Sequence, residues 1–382
     1  MQELIMPNDK KTIGIVGGGQ LGRMLTNAAH RLGFKVIVLD PTPNSPGGQV
    51  ANKQILGSFK DKDKILELAV ESDYLTVELE GINEEALFEI IKSGKPVNPD
   101  PNILKIIKDK FSQKAFLEKN LIPVANFALI NNEEDCIEQG KLFGYPYFLK
   151  ARFDAYDGRG NVLIKNEAEI TTAFAKLSKS PLYAEKFVPF IKELSVVSAR
   201  DVFGKIVSYP VVETVHKNNI CHIVRSPANV SKKVADKAHE LAGRTLNKLG
   251  GVGVFAVEMF LTKDNEVLVN EIAPRVHNSG HHTIEAFNVS QFEQHIRAIA
   301  ELPILDIEQI SSAVMINILG ERSGPVQIKG LESAEKLSGI SVHIYGKMET
   351  RPERKMGHIT VLAGTTDEAE GIALEARESI SI

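Results

Sequence analysis

Residues 12–40 constrain this chain more than any other stretch. Thr12-Ile13-Gly14-Ile15-Val16 is a short apolar run, and Gly17-Gly18-Gly19-Gln20-Leu21-Gly22 follows it. A helical pattern then extends to about Leu32, and a second apolar run, Lys35 to Leu39, ends at Asp40. Strand, glycine turn, helix, strand is the opening of a parallel sheet covered by helices, so the first part of the chain is expected to be α/β. Glycines let a backbone approach a phosphate, and a helix start supplies N–H groups without partners. The pattern fits a dinucleotide site with Asp40 on a ribose, a site for another phosphate ligand, or a tight turn alone; its spacing leaves all three open.

At 382 residues the chain has the length for two or three domains. Its net charge of −4 argues against a general nucleic-acid or membrane-surface binder, which needs a basic excess. With Cys136 and Cys221 as the only cysteines, no disulfide framework or zinc cluster is available, and a reducing compartment is expected. No run of 18 apolar residues occurs and the N-terminus is polar, so the expectation is a soluble cytoplasmic protein, or an organellar one if a transit peptide has been removed.

The strand Tyr74 to Val77 ends in Glu78-Leu79-Glu80, where carboxylates at the carboxyl end of a parallel strand suit a ligand, Glu78 more than Glu80. Three prolines between Pro96 and Pro101 mark a boundary. A helix is expected from Ile103 to Lys119, with Lys105, Lys108, Lys110 and Lys114 mostly on a solvated face. Beyond it, Tyr147-Phe148-Leu149-Lys150 and Val162 to Lys165 read as strands joined by Asp154-Ala155-Tyr156-Asp157-Gly158-Arg159-Gly160-Asn161. Such a loop suits a flap over phosphates, with Lys150 as a point charge and Arg159 as a bidentate clamp. It is not a Walker A loop, since no GK[ST] follows. The strand around Glu185, followed by Glu193, reads more simply as a salt-bridged edge, and His216 as structural.

Two further strands, Val252 to Phe260 and Glu266 to Ile272, flank Leu261-Thr262-Lys263-Asp264-Asn265. A two-residue turn at Asp264-Asn265 places Glu258 directly across from Glu271. Facing carboxylates repel, and a divalent cation between them removes that cost; Mg²⁺ with phosphates completing its shell suits such a pair. Arg275, His277, Asn278, Ser279 and His281 follow closely and suit an anion site beside a metal. The last segment, from about Pro303, mixes short strands with a basic cluster around Tyr345-Gly346-Lys347 and Arg351 to His358, fit for one anionic group of a small ligand.

These pieces together closely resemble the ATP-grasp superfamily, and within it the 5-(carboxyamino)imidazole ribonucleotide synthase family. The resemblance is carried by GGGQLGRM at 17–24, AYDGRGN at 155–161, AEKFV at 184–188, VEMF at 257–260, NEIAPRVHNSGH at 270–281, YGK at 345–347 and RKMGHITV at 354–361, in the family's order. AYDGRGN together with HxxxICxxV at 216–224 is more similar to the fungal or plant form, in which this unit is fused to a mutase/carboxylase domain that does not occur in these residues. The resemblance implies an α/β chain with a Rossmann-like pre-ATP-grasp domain (1–100), an ATP-grasp domain (101–303) and a small β-rich C-terminal domain (304–382). It implies ATP, Mg²⁺ and bicarbonate as reactants, 5-aminoimidazole ribonucleotide as acceptor, and a homodimer formed through the first domain.

Residue by residue, the resemblance implies ATP contacts at Lys110, Lys150, Glu185, Lys186, Phe187, Val188, Glu193, His216 and Asn270, so it overrides the structural reading of His216. Glu258 and Glu271 match the Mg²⁺ ligands, and Arg275 and His277 the groups on bicarbonate or carboxyphosphate. Tyr156, Asp157 and Arg159 match the flap that meets the imidazole nucleotide, with Asp157 a proton acceptor. Gly19, Gln20, Leu21, Glu78, Lys347 and Arg354 match the groups on its ribose and phosphate, so the glycine loop serves a mononucleotide and not NAD. Three positions depart from the family's pattern: Val276 where Pro is usual, the run Glu78-Leu79-Glu80-Gly81, and Lys110 where Arg is common. The alternative within the same fold is another ATP-grasp carboxylase or ligase acting on a nucleotide or carboxylate acceptor.

Overall fold

The computed structural model describes residues 11–153 and 160–382. Among these residues the first part is a five-stranded parallel sheet. Its strands are β1 (Thr12–Val16), β2 (Lys35–Asp40), β3 (Lys53–Leu56), β4 (Tyr74–Val77) and β5 (Val97–Asn98), in the order β3-β2-β1-β4-β5. Strands β1, β2 and β4 are almost wholly buried, as expected of a parallel sheet covered on both faces. The order reverses beside β1, so the glycine turn after β1 and Glu78 after β4 meet at the same crevice, the usual ligand position of such sheets.

The expected helix from Ile103 to Lys119 is two helices, Pro101–Lys108 and Lys110–Lys119. The break is Asp109, whose extended backbone and side chain cap the second helix through the N–H groups of Phe111 and Ser112. A cap of this kind satisfies amides that would otherwise lack partners. The restart turns Lys110 and Lys114 inward, and Asp109 also pairs with Arg152. An unbroken helix would have kept its lysines on one outer face, so the expectation of a solvated face fails here. Lys114 is buried, with a side chain only 3% exposed.

A small antiparallel sheet follows, made of β6 (Phe127–Ile130), β7 (Tyr147–Ala151), β8 (Asn161–Ile164) and β9 (Leu182–Lys186), in the order β6-β9-β7-β8. The large sheet begins with β10 (Phe190–Arg200), β11 (Ile206–Ser208), β12 (Val212–Lys217), β13 (Ile220–Ser226), β14 (Gly253–Thr262) and β15 (Val267–Ala273). The last segment supplies β16 (Ser312–Leu319), β17 (Gly324–Pro325), β18 (Ile340–Ile344), β19 (Glu349–Thr350) and β20 (Lys355–Ala363). Its long strands do not form a sheet of their own. Pairing of β13 with β16 carries the ladder onward, giving β15-β14-β10-β12-β13-β16-β20-β18 with β11 beside β10.

The helix Lys232–Leu249, capped by Ser231, packs its apolar stripe (Val234, Ala238, Leu241, Leu246) against β10 and β14. On the other face the helix Gln291–Ile299 shares a core with the helix Gln20–Arg31, joining Phe292 and Ile296 to Leu25 and Ala28. Within it His295 Nε2 lies 2.7 Å from Thr76 Oγ1 of β4, and His295 Nδ1 accepts from the Val254 amide of β14. A buried imidazole with both nitrogens satisfied thus pins the first sheet to the large one.

Candidate active site

A cleft of about 1750 Å³ lies between the first sheet, the small sheet and the large sheet. Its wall includes Gln20, Leu21, Glu78, Lys110, Lys150, Glu185 to Val188, Glu193, His216, Glu258, Asn270, Glu271, Arg275 and His277. Sequence positions far apart therefore converge on one surface. Tyr156, Asp157 and Arg159 lie outside the described residues.

At the centre, Glu258 of β14 stands opposite Glu271 of β15 as expected, but not by the expected turn. The pairing of Met259 with Val269 and Leu261 with Val267 leaves Lys263, Asp264 and Asn265 as the loop, with Asn265 left-handed at φ 61°. A three-residue loop alone would set Glu258 against the wrong partner. The ladder shifts between Glu258 and Met259, leaving Asn270 as the extra residue, and the shift restores the Glu258–Glu271 pair. Bulges of this kind re-aim a side chain beside a site, and Asn270 lines the cleft.

Burial and the neighbouring Glu271 push the Glu258 carboxyl up to about 7. Glu271 moves the other way: burial opposes its ionisation, but Lys110, 2.6 Å from Oε1, outweighs burial and lowers its pKa. His277 Nε2 lies 3.5 Å from Glu258 Oε1. Among the described residues no group of three or more His, Cys, Asp or Glu is placed to hold a metal unaided. Two hard carboxylates whose repulsion is only partly relieved are nevertheless a fit for Mg²⁺ that draws its remaining oxygens from phosphates and water.

Beside this pair is a buried charge cluster. Glu185 Oε1 lies 2.8 Å from Lys150 Nζ, and its Oε2 lies 3.0 Å from Lys114 Nζ. Burial opposes its charge, yet Lys114 and Lys150 outweigh burial and hold Glu185 down at about 2. Two ammonium groups sharing one carboxylate leave a net positive charge facing the cleft, which is what a polyphosphate requires. The sequence marked Lys150 but not Lys114; a lysine about one turn after the cap, followed by Ala115, Phe116 and Leu117, was the only signal. Glu185 is thus no exposed edge residue, and Lys186, Phe187 and Val188 continue the same wall.

Farther along β10 and β12, His216 Nδ1 lies 2.6 Å from Glu193 Oε2. Burial would lower the imidazole pKa, but the Glu193 carboxylate raises it above its ordinary value. The ring thus lines the cleft in contact with a second lining residue, Glu193, at the position where the family resemblance expects a nucleotide contact.

The glycine loop also differs from its simplest reading. Gly18 donates its N–H to Asp40 Oδ2 at 2.9 Å, Gly19 donates to Glu78 Oε1 at 2.7 Å, and Gly22 donates to Glu78 Oε2. The amides expected to meet a ligand phosphate are held by carboxylates of the chain itself. Asp40 is 6% exposed and committed to the loop, which removes the ribose role of a dinucleotide reading. A Cβ on Gly17 or Gly22 would collide with the Glu78 side chain or the Gly17 carbonyl, so the glycines serve this close approach. Burial pushes the Glu78 carboxyl up to about 7 despite the two amide donors.

Lys347 and Arg354 come from the last segment. Burial, then the charge of Arg354, pushes the Lys347 ammonium down to about 8, while Glu78 acts in the opposite sense. Lys347 Nζ donates to the Lys355 carbonyl at 2.6 Å, and Arg354 Nη1 donates to the Glu349 carbonyl at 2.6 Å. Across this junction Gln49 Nε2 donates to the Gly346 carbonyl at 2.7 Å, tying the first segment to the turn that carries Lys347. Lys355, which the sequence reading left unassigned, lines the cleft itself.

A carboxylate pair fit for Mg²⁺, a lysine cluster on and beside a small antiparallel sheet, and a preceding parallel sheet together define an ATP-grasp enzyme. The sequence matches the ATP-grasp domain over residues 115–292, the ribonucleotide synthetase preATP-grasp domain over 10–108, and the phosphoribosylaminoimidazole carboxylase C-terminal domain over 313–371. A phosphoribosylaminoimidazole carboxylase of Candida albicans is 44% identical over 374 residues, 95% of this chain and 66% of that one. The chain thus spans about two thirds of the length of the fungal relatives it matches. The crystal structure of N5-carboxyaminoimidazole ribonucleotide synthetase from Thermotoga maritima is 47% identical, with a TM-score of 0.89 over 97% of this chain and 99% of that chain. That of the Aspergillus clavatus N5-carboxyaminoimidazole synthase, in complex with ADP and 5-aminoimidazole ribonucleotide, is 38% identical, with a TM-score of 0.90 over 97% and 98%. The chain belongs to the N5-carboxyaminoimidazole ribonucleotide synthase family.

Proposed function

We propose that the protein carboxylates the exocyclic amine of 5-aminoimidazole ribonucleotide, using ATP and bicarbonate, in purine biosynthesis. The observation that carries this reading is one cleft in which the Glu258–Glu271 pair, the Lys114–Glu185–Lys150 cluster and the Arg275–His277 arm face each other. A bicarbonate oxygen attacks the γ-phosphorus and ADP leaves, giving carboxyphosphate. The amine nitrogen then attacks the carboxyl carbon, phosphate leaves, and the amine proton passes to a base, for which Asp157 is proposed.

Glu258 and Glu271 would hold Mg²⁺, which would supply charge neutralisation for the phosphoryl transfer. Lys150 and Lys110 bind phosphate oxygens, while Glu185 to Val188 and Glu193 with His216 hold the adenine and ribose. Arg275 offers a planar fork to the bicarbonate or carboxyphosphate anion. Burial and the charge of Arg275 keep the His277 pKa well below its ordinary value, so the ring is a neutral hydrogen-bonding partner there at pH 7. Carboxyphosphate is labile in water, so the flap with Tyr156 and Arg159 is proposed to exclude solvent while it exists. A homodimer through the first domain is proposed from the family resemblance, and a cytoplasmic location, or an organellar one after removal of a transit peptide, from the two cysteines and the polar N-terminus. Among the described residues no helix is long and apolar enough to cross a membrane.

The test is ADP release with ATP, Mg²⁺ and bicarbonate, with and without 5-aminoimidazole ribonucleotide. Strong stimulation by the nucleotide, with bicarbonate required, is the expected result. Turnover that instead needs formate or biotin would replace the substrate while keeping the fold, and no ATP cleavage with any acceptor would remove the reading.

The acceptor end gives a pH prediction. Lys347 is charged below about 8 and Glu78 is ionised above about 7, so kcat/KM for the imidazole nucleotide should peak between those values and fall on both sides. Lys347→Met should erase the alkaline limb; an unchanged limb would assign it elsewhere. Arg354→Ala should raise the KM for the imidazole nucleotide far more than that for ATP, and equal rises would contradict phosphate recognition by Arg354.

A further inference from the structure

We propose that Glu80 is a positioning residue for bicarbonate activation, fixing the guanidinium of Arg275 from the end of strand β4. The inference rests on the functional reading above and gives a role to a residue that the sequence ranked below Glu78 and to which the family resemblance assigned none. Arg275 Nε lies 2.9 Å from Glu80 Oε1, with the two side chains 21% and 27% exposed. The contact is a close ion pair without an aligned N–H···O bond. On the other side of the fork, Nη1 donates to the Val276 carbonyl at 3.3 Å.

A guanidinium carries five N–H groups in a rigid plane, so holding it at two of its nitrogens orients the third. With Nε at Glu80 and Nη1 at Val276, the remaining Nη2 edge is the part left for an anion in the cleft, which both side chains line. An arginine without such anchoring loses rotamer freedom only on binding, and that cost appears as weaker anion binding.

Glu80 itself is well placed to act as an anchor. The Glu78 amide donates to the Val16 carbonyl at 3.0 Å, and the Ile82 amide donates to the Glu80 carbonyl at 3.0 Å, so the turn after β4 is fixed at both ends. Its charge is felt by Lys110 as well as by Arg275, which puts it in the field of the phosphate site. Glu78, two residues earlier, grips the glycine loop and also feels Arg275. Without Glu80, Glu78 is the competing carboxylate, and Arg275 turning toward it would disturb both half-sites. One short turn therefore touches the loop of the acceptor nucleotide and the arginine of the carboxyl donor.

The test compares wild type, Glu80→Ala, Glu80→Gln and Glu80→Asp in the full chain, with ADP and carboxylated product measured separately. Glu80→Ala should raise the KM for bicarbonate about 10-fold or more, the scale of a lost charge-assisted contact. The KM for ATP and the Tm should stay near wild type, while product per ADP falls because carboxyphosphate escapes. Glu80→Gln, which keeps the size of the side chain but removes its charge, should show most of the same rise, whereas Glu80→Asp, which keeps the charge, should recover part of the loss. In an Arg275→Lys background, Glu80→Ala should add little, because the two residues act as a unit. Equal rises in KM for bicarbonate and ATP, or full additivity with Arg275→Lys, would overturn the inference. If Glu80→Ala does not fold, the same cycle run with Glu80→Gln decides it. Wild-type protein without bicarbonate-dependent ADP release would instead remove the functional reading beneath it.

Discussion

Glu271→Gln is expected to reduce ATP cleavage by at least about 100-fold, the scale of losing one preorganised electrostatic contact in a transition state. The substitution keeps the shape of β15 and removes one of the two facing charges. Its effect on folding should be small, because loss of the Lys110 pair is offset by relief of the repulsion with Glu258. Titrating Mg²⁺ separates the possibilities. A large rise in the Mg²⁺ concentration needed for half-maximal turnover identifies a lost ligand, and unchanged turnover at ordinary Mg²⁺ removes the assignment.

The second large effect is expected in stability. Glu185→Gln leaves Lys114, with its side chain only 3% exposed, beside Lys150 and without a counter-charge. Removing one member of a buried ion pair costs about 3–5 kcal/mol, much more than deleting a surface salt bridge. Burial already lowers the Lys114 pKa, with Lys150 acting in the same sense. In the variant the unfolded state binds more protons than the folded state, so stability should climb as pH rises toward the ordinary lysine range. Chemical denaturation at several pH values measures this, and the KM for ATP should rise along with the destabilisation because Lys150 loses its anchor. A penalty independent of pH would mean that Lys114 stays charged and finds another partner.

These two sites differ in how far they could be read from the sequence. The two-residue turn expected at Asp264-Asn265 led to the correct pairing of Glu258 with Glu271, but only because two deviations cancel: a loop one residue longer than expected and a bulge at Asn270. Neither is encoded in apolar periodicity, since each depends on how the ladder closes. Lys114 was missed because its burial follows from a helix break at Asp109, a local capping event inside an otherwise continuous pattern. Glu80 was ranked below Glu78 because its partner, Arg275, is contributed by a distant sheet. The glycine loop was recognised as a loop, whereas its amides being filled by Asp40 and Glu78 is a tertiary fact. Strands β1, β2 and β4 needed no tertiary information, because continuous apolar runs bounded by glycine and charge specify buried parallel strands directly, whereas the short, half-exposed β3 was not recognised.

The pairing of β13 with β16 has a mechanical meaning. From β15, which bears Glu271, to β18 and β20, whose connecting stretch bears Lys347 and Arg354, the backbone is one continuous ladder at the regular interstrand spacing. The sheet thus acts as a ruler: one mark is the carboxylate pair, the other the basic turn, and the span between them does not depend on a domain hinge. In the proposed reading, the acceptor must reach the basic turn with its phosphate while its amine lies at the carboxylate pair, and the unbroken ladder sets that reach.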